Sequence, residues 1–185
     1  MRVFESVAAT PQERTAPMAG DELVPRPDAV MDRAFTLPAA PEAVWPWLVQ
    51  LGKRRAGWYL PASVERFVPQ SRRALRSIDQ QWQQLQAGDV VPDYGGRNEF
   101  FEAVMVEPPD RLVYRSQRGR MQLSWSIALD GSHTGSRDAT RVRLRLRLGP
   151  VRRQWLVNTA GELVDLLTVA GLAAGLRERV TTHWG

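Results

Sequence analysis

The segment APEAVWPWLVQLGKRRAGWYL, residues 40–60, combines a helix-start signal with an unusual density of aromatic residues. Pro41 suits the first position of a helix, because its missing N–H would have no intrahelical partner there. Apolar residues then recur at helical spacing, at Val44, Trp45, Leu48 and Leu51. The segment therefore predicts a helix packed on a core, followed by an aromatic turn.

The chain on either side of this segment alternates apolar and polar residues, the pattern of half-buried strands. One such stretch precedes it, at residues 29–37, and others follow at 89–93, 99–107, 111–116, 121–129 and 140–148. A second short helix is expected at 61–67, and a long one between Pro150 and about Val180. This order predicts an α+β fold in which a curved antiparallel sheet wraps around a long C-terminal helix, with two short helices after the first strand.

The first 28 residues differ from the remainder, since they are rich in proline and show little periodicity. We expect residues 1–28 to form an extended arm, with one helical turn at residues 11–14. The chain has 185 residues and is 43% hydrophobic, which is enough to bury one core. Residues 29–185 are therefore expected to form a single domain.

Composition excludes several classes of chemistry. The chain has no cysteine and only two histidines, His133 and His183, so thiol chemistry is excluded and a multi-histidine zinc site nearly so. No phosphate-cradling or dinucleotide-binding glycine motif is present, and we expect no metal and no cofactor. The N-terminus lacks a secretory signal and no apolar run reaches the roughly 18 residues of a membrane span, which predicts a cytoplasmic protein.

Positive charge is concentrated in arginine: the net charge is +5, and Lys53 is the sole lysine. Four arginines occupy alternate positions of residues 140–148: Arg141, Arg143, Arg145 and Arg147. Arg152 and Arg153 follow shortly after. Alternate residues of a strand lie about 7 Å apart. That spacing is close to the spacing of phosphates in nucleic acid. No interleaved aromatic platform accompanies it. The pattern favours a solvated outer sheet face, partly paired with acidic residues of neighbouring strands, over a nucleic-acid surface.

Several motifs together carry a resemblance to a known family. They are GDELVP at 20–25, AVMDRAFTLPAAPEAVW at 29–45, WPWLVQLG at 45–52, RAGWY at 55–59 and QLQAGDVV at 84–91, followed by the terminal helix. From about Ala9 onward the chain resembles the START-like, polyketide cyclase-like superfamily called SRPBCC, in particular an actinobacterial branch. The resemblance implies a helix-grip fold with a deep apolar cavity between sheet and C-terminal helix, for a lipid, polyketide, steroid or similar molecule.

Candidate cavity residues follow from combining this implied fold with the alternation pattern. Two would lie at the mouth, Trp58 and Tyr59. Others would lie on the concave face of the sheet: Phe101, Tyr114, Leu123, Trp125, Ile127, Leu144 and Leu146. The facing helix would contribute Leu163, Leu167 and Ala170. A filled core would produce the same pattern, so the sequence leaves an open cavity and a packed interior as alternatives.

Three functions remain open. The first is binding of a small hydrophobic molecule by a monomer or homodimer. The second is an enzyme of the polyketide cyclase or dehydratase type, in which Asp165 or Tyr114 polarises the bound molecule, because a polar group held away from water can work near neutral pH. Asp165 stands out within the apolar run LVDLLTVAGL, although it also fits a solvent-facing helix position. The third is binding of an anionic partner through the arginine-rich strand.

Overall fold

The computed structural model describes residues 7–96, 98–131, 138–151 and 161–182. Its strands are β1 (Ala29–Leu37), β2 (Val90–Pro92), β3 (Phe100–Glu107), β4 (Arg111–Arg118), β5 (Met121–Asp130) and β6 (Thr140–Gly149). They form one curved antiparallel sheet in the order β1-β6-β5-β4-β3-β2. The last strand in sequence thus pairs with the first, so Ala29 lies opposite Leu148.

The helices are α1 (Pro11–Thr15), α2 (Pro41–Gln50), α3 (Ala62–Glu65) and α4 (Glu162–Thr182). The predicted α+β architecture is confirmed: it consists of the sheet, the long terminal helix and the two short helices after β1. The expected helical turn at residues 11–14 is also confirmed. Strand β4 runs to Arg118, two residues further than the alternation pattern had indicated.

The core lies between the concave face of the sheet, α2 and the second half of α4. Leu172 and Leu176 of α4 are fully buried, and Trp47 and Leu48 of α2 pack into the same cluster. Gly175 brings α4 against the chain at Leu60, where an added Cβ would come within 2.6 Å of a backbone nitrogen. Gly175 therefore marks a point of close packing between α4 and the loop at Leu60.

Helix α4 is buried over only part of its length. Burial begins at Val169. Leu163 and Leu167 are 56% and 52% exposed and do not border the cavity, so the prediction that they face the sheet across it does not hold. The residues of α4 that border the cavity are Asp165, Thr168 and Val169, so these leucines lie on the outer side of the helix.

Residues 13–24 lie against the opposite, convex face of the sheet, whereas the segment before them runs beside the edge strand β1. The backbone carbonyl of Val7 accepts a hydrogen bond of 2.9 Å from the Ala34 N–H, which places this segment beside β1. Helix α1 begins with a capping box, in which Thr10 and Glu13 each bond to the other's backbone N–H. The convex face of β1 and β6 is therefore covered by chain from the N-terminal segment.

Arg145 illustrates the consequence for the arginine-rich strand. Its side chain is 4% exposed, and its Nε donates to Asp32 of neighbouring β1 at 2.6 Å. Its other nitrogens donate to Asp21 and to three backbone carbonyls of the N-terminal segment. The expected solvated face is wrong at this position, whereas pairing with an acidic residue of the adjacent strand is confirmed.

Two further arginines of β6 are bound in the same way. Arg141 forms a two-bond contact with Glu13, at 2.7 and 2.9 Å. Arg147 donates to the backbone carbonyl of Val24 at 3.0 Å and approaches Asp21. The remaining members of the arginine series beyond the strand, Arg152 and Arg153, lie outside the described residues.

Candidate functional site

A cavity of about 380 Å³ lies between the concave face of the sheet and the first half of α4, and it is partly open to solvent. Strands β3 to β6 form its floor, α4 forms one wall, and the chain at residues 51–58 and 91–95 forms its rim. Of the residues predicted for the cavity, it is lined by Trp58, Phe101, Tyr114, Leu123, Trp125 and Leu146. The volume of this cavity and its apolar lining are typical of small-molecule sites.

An aromatic cluster dominates the floor, centred on Trp125 of β5. Tyr114 lies directly opposite Trp125 in the β4–β5 ladder, so both side chains point to the concave face. Their rings stack with centroids 5.7 Å apart and planes at 21°. Trp58 also stacks on Trp125, at 6.1 Å and 28°, and Phe101 lies 6.0 Å from Trp125 at a tilt. Such offset arrangements are favourable for aromatic rings and present flat apolar faces.

Trp58 comes from a loop that is bonded to α4. Its indole N–H donates to the carbonyl of Thr168 at 3.2 Å. Close by, Arg179 donates to the carbonyl of Leu60 at 3.1 Å and to Glu65 at 2.7 Å. Because Arg179 is almost fully buried, these bonds anchor the loop that carries Trp58 to the helix.

Tyr59 occupies a different environment from its neighbour. Its hydroxyl donates to the carbonyl of Trp47 at 2.9 Å and accepts from Gln50 at 3.0 Å. The residue is completely buried and belongs to the packed core, and burial raises the pKa of its hydroxyl. Ile127, Leu144 and Ala170, also predicted for the cavity, are likewise buried members of the core cluster and do not border the open volume.

Tyr114 is the polar residue of the cavity floor. It is 3% exposed, and its hydroxyl makes no hydrogen bond with any residue that the structure describes. The hydroxyl oxygen nevertheless retains accessible area, in contrast to the sealed hydroxyl of Ser116 on the same strand. Burial raises the pKa of Tyr114, so the group stays protonated and can donate.

Asp165 borders the same cavity from α4. One of its carboxylate oxygens lies 2.8 Å from Nε of Arg33, which projects from β1 beneath the helix. The side chain of Asp165 is 18% exposed and that of Arg33 is 9% exposed, so the pair is largely shielded from water. The structure thus brings the two catalytic candidates, Asp165 and Tyr114, to one cavity from elements about 50 residues apart in sequence.

The rim of the cavity carries charged groups that sequence reasoning missed. Lys53 donates to the backbone carbonyls of Asp93 and Gly96, at 2.8 and 2.9 Å. Arg118 forms an ion pair with Asp93 and lies over the ring of Phe101, 5.7 Å from its centroid. These contacts tie residues 93–96 to the cavity's edge.

Sequence patterns could have indicated some of the residues around the cavity and not others. Arg118 follows Tyr114 by four residues on the same strand face, so a longer β4 would have indicated it. Thr168 and Val169 lie one helical turn after Asp165 and line the same wall. Nothing in the sequence pointed to Lys53, because its bonds are to the backbone of a loop 40 residues away.

No group of three or more His, Cys, Asp or Glu within the described ranges is arranged to hold a metal ion. No helix in that part of the chain has the length and apolarity needed to span a membrane. His133 and His183 lie outside the described residues.

No protein-family model and no curated protein sequence matches this chain. Solved structures do resemble it. A hypothetical protein from Helicobacter pylori aligns with a TM-score of 0.54 at 13% identity, over 96% of this chain and 98% of that one. A protein from Mesorhizobium loti gives 0.51 at 12%, over 83% and 98%. A point mutant of norcoclaurine synthase from Thalictrum flavum, in complex with a transition-state analogue, gives 0.50 at 11%, over 85% and 96%. At these identities the likeness concerns architecture: this chain has the helix-grip fold.

Proposed function

We propose that this protein binds a small apolar molecule in the cavity between its sheet and α4, as a member of the SRPBCC superfamily. The single observation that carries the proposal is the open volume of about 380 Å³ floored by stacked aromatic rings. Placement in the actinobacterial branch, a cytoplasmic location and a monomeric or dimeric state are parts of the same proposal, supported by the sequence motifs and composition.

The physical argument is one of exposed apolar surface. Rings such as Trp58 and Trp125 are half-buried, and their remaining faces border the cavity instead of the packed core. Covering apolar surface with an apolar ligand is favourable by about 25 cal/mol per Å². A rigid sheet holds these rings in position beforehand, so little ordering cost opposes binding.

Native mass spectrometry of the purified protein, followed by organic extraction, is the direct test. A variant that fills the cavity, Leu146→Trp, is compared with Leu163→Trp, which adds the same bulk at an exposed position of α4. We expect a reproducible apolar adduct on the wild type and on Leu163→Trp, and none on Leu146→Trp. Circular dichroism establishes that both variants are folded.

Two outcomes oppose the proposal. An adduct that survives on a folded Leu146→Trp variant places the ligand elsewhere. A clean apo mass that persists after incubation with a panel of lipids, sterols and aromatic compounds argues for a binding-incompetent cavity.

A second candidate function is catalysis of the cyclase or dehydratase type. The observation that favours it is the presence of Asp165 and Tyr114 on the walls of one apolar cavity. Tyr114→Phe and Asp165→Asn, assayed with poly-β-ketone substrates, are expected to abolish turnover while preserving binding. Parallel loss of both properties would count against catalysis.

The anionic-partner alternative receives less support, because three arginines of β6 are already bonded to the N-terminal segment. Arg145 alone satisfies two carboxylates and three carbonyls. Nucleic-acid binding through this strand predicts an affinity that falls steeply with salt. Weak or salt-independent retention on immobilised nucleic acid would remove it.

A further inference from the structure

The chain has three tyrosines, and two of them are buried with opposite hydrogen-bonding situations. The hydroxyl of Tyr59 is fully satisfied by Trp47 and Gln50. That of Tyr114 has no partner among the described residues, although its side chain is equally deep. A buried tyrosine hydroxyl normally finds a partner, so the exception at Tyr114 requires a reason.

The position of Tyr114 supplies that reason. The residue lines the cavity, its hydroxyl oxygen is not sealed by protein atoms, and its ring packs against the rings of Trp125 and Phe101. These two ring contacts position the side chain, and no acceptor among the described residues lies within hydrogen-bonding distance of the hydroxyl. The atom that completes its hydrogen bonding has to come from whatever occupies the cavity.

We infer that the Tyr114 hydroxyl donates a hydrogen bond to the ligand, and that the ligand is a flat aromatic molecule carrying a carbonyl oxygen. This inference rests on the proposed function. Burial keeps the phenol protonated, which makes it a donor. A carbonyl oxygen is the matching acceptor.

The aromatic floor selects the shape of the ligand. Trp58, Trp125 and Tyr114 form a series of rings whose neighbouring planes differ by 28° and 21°. Nearly parallel rings offer faces against which a planar molecule stacks, whereas a bulky puckered skeleton touches them at fewer points. A carbonyl oxygen that accepts the hydrogen bond from Tyr114, together with a planar ring system, defines the ligand class as aromatic ketones and quinones.

The test uses two probes of the same three-ring shape, fluorene and 9-fluorenone, which differ by the carbonyl. Equilibrium dialysis with chromatographic quantification measures the affinity of each for the wild type, Tyr114→Phe and Tyr59→Phe. We expect the wild type to prefer 9-fluorenone by about tenfold, from one buried hydrogen bond. Tyr114→Phe should lose the preference by binding the ketone more weakly while binding fluorene as before.

Tyr59→Phe is the matched control, because it removes the other buried phenol hydroxyl without touching the cavity lining. It should retain the preference for the ketone. A preference that persists in Tyr114→Phe, or that is absent from the wild type although both probes bind, overturns the inference and leaves the proposed function standing. Failure of the wild type to bind either probe counts against the proposed function itself and the inference with it.

Discussion

Nη1 of Arg145 on β6 lies 2.9 Å from Oδ2 of Asp21, a residue 124 positions earlier in the chain. This contact fastens the N-terminal segment to the sheet. It also explains why an alternating row of arginines, which looked like a solvated face, is partly enclosed by protein. Glu13, bonded to Arg141 at 2.7 and 2.9 Å, makes a second fastening nearby.

Replacing Arg145 by methionine should destabilise the protein by about 3–5 kcal/mol, because Asp32 and several carbonyls lose their partner in a buried place. Urea unfolding followed by circular dichroism measures the change in the free energy of unfolding. Arg143→Met is the control, since Arg143 is half-buried on the same strand and forms no ion pair with any residue that the structure describes. Equal losses in the two variants would contradict this role for Arg145.

The contact between Glu13 and Arg141 makes stability depend on pH. Hydrogen bonds from Arg141 lower the pKa of Glu13 from 4.5 to about 2. A carboxyl whose pKa is depressed by folding stabilises the native state above its unfolded pKa. The stabilisation is lost as pH falls from about 5 towards 2. It should amount to about 2–3 kcal/mol at neutral pH.

Unfolding free energies of the wild type and Glu13→Gln, measured between pH 7 and pH 2.5, test this linkage. The difference between the two proteins should be largest near neutral pH and shrink as the solution becomes acidic. A difference that stays constant across the range would show that Glu13 does not titrate between the folded and unfolded states as expected.

Two glycines of α4 give a matched pair for the packing of the helix on the loop that carries Trp58. Alanine at Gly175 would place its Cβ 2.6 Å from the backbone nitrogen of Leu60, whereas at Gly171 it would meet only the tip of the Leu60 side chain, at 2.8 Å. Gly175→Ala should therefore cost about 1–3 kcal/mol. Gly171→Ala should cost less, since the flexible tip can move and alanine favours the helix by about 1 kcal/mol. Thermal unfolding of both variants checks the order, and a reversed order would refute the argument.

Lys53 should control the motion of the cavity's rim. Lys53→Met removes two bonds to the carbonyls of Asp93 and Gly96, and backbone amide exchange in residues 93–96 should rise by on the order of tenfold. Hydrogen–deuterium exchange measured by mass spectrometry reports this directly. Arg54→Met serves as the control, because Arg54 is an exposed neighbouring cation. Unchanged exchange in Lys53→Met would show that other contacts, such as the pair of Arg118 and Asp93, suffice to hold the rim.

Local patterns of apolar and polar residues predicted most of the fold. Alternation placed β5 within one residue of its observed end, and it correctly put Tyr114 and Trp125 on one face of the sheet. Helical periodicity did not predict the environment of the first turns of α4, where Leu163 and Leu167 are apolar yet exposed. Helical periodicity reports which residues share a face, but not whether that face meets a core, a cavity or water.

What the sequence by itself determined was the order of elements and the apolar face of each strand, since these depend on neighbours along the chain. The tertiary structure alone decided the properties that depend on partners far away in sequence. It satisfied the hydroxyl of Tyr59 and left that of Tyr114 bordering the cavity. It also covered Arg145 with residues 13–21. Hydrogen bonds and burial are made between segments, so their distribution follows from how the segments meet.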